Sequence, residues 1–223
     1  MHQWHVYPDF ETASRAAADF IASQIRSSIE QRGVCHVALP GGNSPLRCFA
    51  HLVSMALPWD RVHWYPGDER CYPRGHAERN DLMLARALWS QLEASHVHVI
   101  PAELGPEAAA TAFAQSIAEV ERFDLAFLGM GEDGHTASLF PGNPALQDTR
   151  RVVPVYHSPK PPDERVSLSV TTLQQARARV VVAGGQAKAP VIARIRAGES
   201  LPINSLGDIH WYLDADAAAE GND

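Results

Sequence analysis

Apolar and polar positions along this chain change period several times, and each change marks a predicted element. Ala17, Phe20, Ile21, Ile25 and Ile29 recur at three- and four-residue steps, which puts them on one helical face, and Gly33 ends the run. VCHVAL (34–39) is a short apolar run of strand type. After PGGNSP, the spacing of Leu46, Phe49 and Val53 predicts a second helix, with Ser44 as its N-cap and Pro45 at its first position. VHWY (62–65) reads as the next strand, residues 66–80 as a long polar loop, and Asn80 as the cap of a helix through Leu82, Leu84 and Leu88. VHVI (97–100) is a further strand, and Pro106 opens a helix to about Arg122.

The second half repeats this alternation. FDLAFLG (123–129) is the most apolar strand, followed by a stretch dense in glycine and polar residues. RVVPVY (151–156) reads as extended, although Pro154 weakens it as a strand. In ERVSLSV (164–170), Val166, Leu168 and Val170 alternate with serines, which predicts a sheet with one wetter face. RVVVA (179–183) is another buried strand, then GGQAK opens a helix to about Arg196, and DIHWYLD (208–214) closes the sheet. The last residues, AAAEGND, are expected to form a frayed acidic tail.

Buried strands between amphipathic helices predict one α/β domain over residues 1–223 with a mainly parallel sheet. Ligands of such folds bind at the carboxyl ends of strands. Four polar loops leave strand ends here, at 40–45, 66–80, 129–143 and 184–188, and build one site if they converge.

Composition narrows the class. With 45% hydrophobic and 20% charged residues, the chain is neither disordered, nor a coiled coil, nor a disulfide mini-scaffold. A net charge of −7 with no basic stripe argues against a nucleic-acid partner, while a few local cations still suffice for a small anion. MHQWHVYPDF has no basic n-region and no apolar run of signal-peptide type, and no stretch approaches the length of a membrane span. Cys35, Cys48 and Cys71 fit no metal spacing and read as free thiols in a reducing cytosol.

Within PGGNSP, Gly41 and Gly42 permit close backbone approach at a helix N-terminus, and Asn43 and Ser44 add side-chain hydrogen bonds. The turn suits an anion, or is an ordinary tight strand–helix turn. It is not a P-loop, because no Gly-Lys-Ser/Thr follows. In GDER (67–70), Arg70 can grip an anion as a planar fork, and Asp68 and Glu69 can contact hydroxyls or hold that arginine; the alternative is a solvated charged loop. Gly129, Gly131 and Gly134 spell a G-x-G-x-x-G. The residues after it reach Pro141 too soon for a dinucleotide-binding helix.

Asp133 and His135 carry the sharper signal. Near neutral pH an imidazole accepts a proton from water, and a carboxylate fixes its tautomer. With no G-x-S-x-G elbow, attack by activated water is favoured over an acyl-enzyme. Lys188 sits at a helix start, where a cation opposes the dipole and calls for a compensating anion. Arg165 opens a strand and is either a site cation or surface charge.

LPGGNSP, WYPGDERCYP with Asn80, FDLAFLGMGEDGHTASLFPG, RVSLSVTTLQQA and GGQAKAP, in this order, resemble the 6-phosphogluconolactonase family. The resemblance implies a three-layer α/β/α sandwich with a Rossmann-like sheet, shared with glucosamine-6-phosphate isomerases. It implies hydrolysis of 6-phospho-D-glucono-1,5-lactone in the cytoplasm, with no cofactor and no metal. By position His135 is then the general base and Asp133 orients it, while Gly41, Gly42, Asn43, Ser44, Arg70 and Lys188 hold phosphate or nearby hydroxyls, with Asp68 a hydroxyl contact and Arg165 a further substrate contact. Two departures stand out: Pro40, Asn43 and Ser44 replace parts of the family's Ser-Gly-Gly-Ser-Thr-Pro loop, and Gln174 stands where the family often has asparagine. The rivals are an amino-sugar phosphate isomerase-deaminase, which places a glutamate where this chain has Phe140, and a sugar-phosphate sensor without turnover.

Overall fold

The computed structural model describes residues 1–219. In chain order its elements begin with β1 (Gln3–Tyr7), α1 (Phe10–Arg32), β2 (Cys35–Leu39), α2 (Leu46–Val53), β3 (Val62–Pro66), β4 (Asp68–Arg70) and α3 (Asn80–Leu84). They continue with β5 (His96–Val97), α4 (Pro106–Ser116), β6 (Leu125–Leu128), β7 (Val152–Val155), β8 (Arg165–Leu168) and α5 (Val170–Gln174). The last are β9 (Ala178–Ala183), α6 (Ala189–Arg196), β10 (His210–Asp214) and α7 (Ala215–Ala218). Seven strands form one parallel sheet in the order β1-β10-β9-β6-β2-β3-β5, and β4-β8-β7 form a small antiparallel sheet.

Strand periodicity divides the large sheet's residues between two cores. Val180 and Val182 of β9 join Ile21 and Ile25 of α1 and Phe49 of α2, whereas Val181 and Ala183 join Phe113 of α4 and Ile192 of α6. The result is the three-layer α/β/α sandwich with a parallel, Rossmann-like sheet. α1 begins where the Asp9 carboxylate accepts the Thr12 N–H at 2.7 Å and stops at Gly33, whose φ of 81° suits glycine. Ala13, Ala17 and Ala18 on its inner face are fully buried, so its backbone comes close to the strands.

Several expectations change. β10 does not close the sheet: β1 lies outside it, with Trp4 in register with Trp211. QWHVY escaped notice because an edge strand, half exposed, keeps polar residues that blur the alternation. The polar stretch 66–80 is not one loop, since β4 pairs with β8. ERVSLSV has no wet face. Ser167 and Ser169 are buried, the first donating to the Leu168 carbonyl at 2.9 Å and the second capping α5 by accepting the Thr172 N–H. Pro154 is accommodated because β7 is an edge strand.

Ser44 does not cap α2. Pro45 occupies the cap position with helical dihedrals, and the Leu46 N–H closes back on the Asn43 carbonyl. Asn80 is the first residue of α3 rather than its cap. The strand expected at 97–100 is the two-residue β5, and the helix from Pro106 ends at Ser116, where the Arg151 guanidinium takes the Ile117 and Val120 carbonyls. Of the expected tail, Ala217 is buried in α7 and residues 220–223 lie outside the described residues.

One buried cation ties the 66–80 segment to the rest. Arg79, with a side chain 1% exposed, donates to Asp81 at 2.7 Å, to Glu103 at 2.9 Å and to the carbonyls of Tyr72 and Ile100. Removing Arg79 strips the fully buried Glu69 and the partly buried Asp81 of their cation and leaves Glu103 to Arg74 alone. Arg79→Met is therefore expected to cost about 3–5 kcal/mol. Urea unfolding checks this as a lower midpoint at unchanged slope, and an unshifted midpoint would show that Arg79 is dispensable.

Candidate active site

The carboxyl ends of β2, β3, β6 and β9 bring the four predicted loops around one open cavity of about 220 Å³. Gly41, Gly42, Asn43, Ser44, Asp68, Arg70, His135, Arg165 and Lys188 all line it. Asp133 stands behind His135, bonded to it.

The strand–turn after β6 builds the pair. The His135 Nδ1 lies 2.5 Å from Asp133 Oδ1, and the same oxygen accepts the His135 backbone N–H at 3.2 Å. Gly131 makes room for this: a Cβ there would lie 2.1 Å from the imidazole ring and 2.7 Å from the Asp133 carboxylate. No helix opens at Gly134, so the G-x-G-x-x-G serves close packing and not a dinucleotide. Phe140, buried, packs on the imidazole with ring centroids 4.6 Å apart. Burial lowers the His135 pKa below the ordinary histidine value, and the Asp133 bond offsets only part of that fall. Burial works to raise Asp133, but the hydrogen bond and charge of His135 outweigh it and hold the carboxyl low. At neutral pH the pair is thus a carboxylate and a neutral imidazole with its proton on Nδ1, which leaves Nε2 as the acceptor.

A second buried network forms another stretch of the wall. Asp68 accepts the Ser138 hydroxyl at 2.6 Å and the Asn80 amide at 3.2 Å, and that amide also reaches the Asp68 carbonyl at 2.9 Å. Asn80 is pressed so close to Gly41 that a Cβ there would fall 2.1 Å from its Oδ1. Glu69 is not a solvated loop residue: its buried carboxylate accepts the backbone N–H groups of Arg70, Asn80 and Asp81, each at 2.8 Å. Burial pushes it up to about 7 despite these donors. Neither Asp68 nor Glu69 holds the Arg70 guanidinium. Its Nη1 donates to the Glu78 carbonyl at 2.7 Å, and its Nε is buried without a partner among the described residues.

Two further cations follow β9 and open β8. Lys188 Nζ donates to the Met130 carbonyl at 2.8 Å, and burial lowers its pKa, with Glu132 opposing the fall. Arg165 is no surface charge: it is 4% exposed, and its guanidinium carbon sits 5.4 Å from the Phe140 centroid. Gln174 is exposed and does not line the cavity, whereas its neighbour Leu173 does. Sequence reasoning passed over Lys160, which lines the cavity from the β7–β8 connection, because a single lysine among prolines carries no periodic or motif signal. It also read Asn80 as a cap, since its true partner, Asp68, is set only by β4. A base held by a carboxylate, facing a glycine turn and several cations, suits proton transfer on an anionic substrate.

Residues 8–211 match the family of glucosamine-6-phosphate isomerases and 6-phosphogluconolactonases. The chain is 35% identical to the 6-phosphogluconolactonase of Mycobacterium leprae, with 96% of each chain covered. The 6-phosphogluconolactonase structure from Trypanosoma brucei superposes with a TM-score of 0.83 at 26% identity, covering 98% of both chains. That from Thermotoga maritima gives 0.89 at 24% identity over 96% of this chain and 100% of the other, which speaks to the fold.

The pair's electrostatics are directly measurable. In an NMR titration the His135 imidazole should protonate below the ordinary value of about 6.5. Asp133→Asn should lower that midpoint further, because the larger opposing charge is gone and Asp68 alone remains against burial. A midpoint that rises in the variant would contradict this account of the pair.

Proposed function

The chain belongs to the family of glucosamine-6-phosphate isomerases and 6-phosphogluconolactonases, and we propose that it hydrolyses 6-phospho-D-glucono-1,5-lactone to 6-phospho-D-gluconate in the cytoplasmic pentose phosphate route. The observation that carries the reading is a neutral, carboxylate-held imidazole facing a cavity lined by Arg70, Lys160, Arg165 and Lys188. Among the described residues no helix is long and apolar enough to cross a membrane. The isomerase-deaminase reading is disfavoured by Phe140, whose buried ring against His135 offers no proton to a sugar ring. The sensor reading leaves the Asp133–His135 pair without a task.

In the proposed reaction the Gly41–Ser44 turn and Lys188 hold the phosphate, Arg70 meets phosphate or hydroxyls and Asp68 meets hydroxyls, so the lactone carbonyl rests near His135. Nε2 of His135 takes a proton from water as the oxygen attacks the carbonyl carbon. The tetrahedral oxyanion is met by polar donors of the 129–138 loop or by Arg70. Collapse breaks the bond to the ring oxygen, which recovers the proton from the imidazolium and becomes a hydroxyl. Asp133 stabilises the imidazolium in between. The lactone also opens unaided in water, so positioning supplies a large share of the acceleration.

Background-corrected lactonase assays test this. His135→Ala should lower kcat by roughly 10²–10⁴-fold. Near-normal turnover in that variant would remove His135 as the base. Lys188→Ala should raise KM for the phosphorylated lactone and leave the unphosphorylated one little changed. Equal effects on both substrates would take Lys188 out of the phosphate site.

A further inference from the structure

We propose that Lys160 is a second cation for the substrate's phosphate, carried over the cavity by a connection whose backbone Arg165 holds in place. The inference rests on the reading of the cavity as a sugar-phosphate site and adds to it a residue that the sequence did not single out.

Arg165 occupies the start of β8, and its guanidinium is largely spent on backbone. Nη2 donates to the Lys160 and Pro161 carbonyls at 3.0 Å each, and Nε to the Pro162 carbonyl at 3.3 Å. Only Nη1 turns toward the cavity wall, 3.5 Å from the Ser138 hydroxyl. A buried charge satisfied by three consecutive carbonyls fixes the path of the chain that carries them. Ser158 completes the frame, its N–H donating to the Asp163 carbonyl at 3.0 Å and its hydroxyl to the Lys160 carbonyl at 2.8 Å.

On this frame the Lys160 side chain is exposed and lines the same cavity as His135 and Lys188. Its ammonium has no hydrogen-bond or ion-pair partner among the described residues, so all three donors are free for a ligand. Lys188, by contrast, already gives one bond to Met130. The positive field of Lys160 adds to the lowering of both Lys188 and His135. Two ammonium groups facing one cavity repel each other until an anion lies between them, and a phosphate dianion relieves that repulsion.

Kinetics of Lys160→Met on the phosphorylated and unphosphorylated lactones, beside calorimetric titration with inorganic phosphate, test the assignment. The variant should raise KM for the phosphorylated lactone roughly tenfold, the worth of one charge-assisted bond, with kcat within about twofold and the unphosphorylated substrate unaffected. Phosphate affinity should weaken in parallel, and Lys160→Arg should restore most of both. Arg165→Lys should act in the same direction, and its effect should not add to that of Lys160→Met. Unchanged KM and phosphate affinity, or an equal loss on both lactones, would overturn the phosphate role. Additive effects would overturn the positioning role of Arg165. If wild type turned over neither lactone, the lactonase reading would fall, while the phosphate titrations would still decide Lys160.

Discussion

A parallel sheet joined by helical crossovers must be covered on both faces, and most of this molecule's chemistry follows from that constraint. Successive residues of β6 and β9 enter opposite cores, so both faces are filled with apolar side chains and offer no place for a charged group. Functional side chains are left with the strand ends, where backbone N–H groups are free and helices begin. Gly41 to Ser44, Asp68, His135 and Lys188 come together because four neighbouring strands end on the same edge.

Loops at that edge need anchors of their own, and here buried charges provide them. Glu69 gathers three backbone N–H groups, Arg79 joins Asp81, Glu103 and two carbonyls, and Arg165 gathers three more carbonyls. None of these needs to touch substrate to matter. Each turns a length of polar chain into a fixed wall and leaves the less encumbered neighbours, Arg70 and Lys160, facing the cavity. Charge in this protein thus divides between scaffolding and ligand, and exposure alone does not separate the two: Asp68 is buried yet belongs to the cavity wall, while Glu69 beside it is structural.

This division explains what sequence could reveal. The apolar strands β2, β3, β6 and β9 and the long face of α1 were legible because burial on both sides writes an unbroken hydrophobic run or a clear helical period. The Asp133–His135 pair was legible because its partners are two residues apart on one turn. What escaped depended on distant contacts. β4 is a strand only because β8 lies beside it, Ser167 of β8 faces that same pairing, Ser44 fits a capping pattern but yields the cap position to Pro45, and the Asn80 amide turns to Asp68 instead. Short polar segments are settled by tertiary partners, and β1, half exposed at an edge, is settled by β10 alone.

The family spans two chemistries on one fold, and Phe140 bears on which one this site can run. Its role is not confined to lacking a proton. The ring packs on His135 and receives Arg165 over its face, so it keeps water and countercharge away from one side of the imidazole. A carboxylate in that place would add a second negative charge beside Asp133 and favour the imidazolium. That raises the imidazole's proton affinity and lowers the share of free base available for lactone hydrolysis. An apolar residue here therefore does two things at once. It withholds the acid that sugar-ring opening requires, and it preserves the neutral imidazole that activates water.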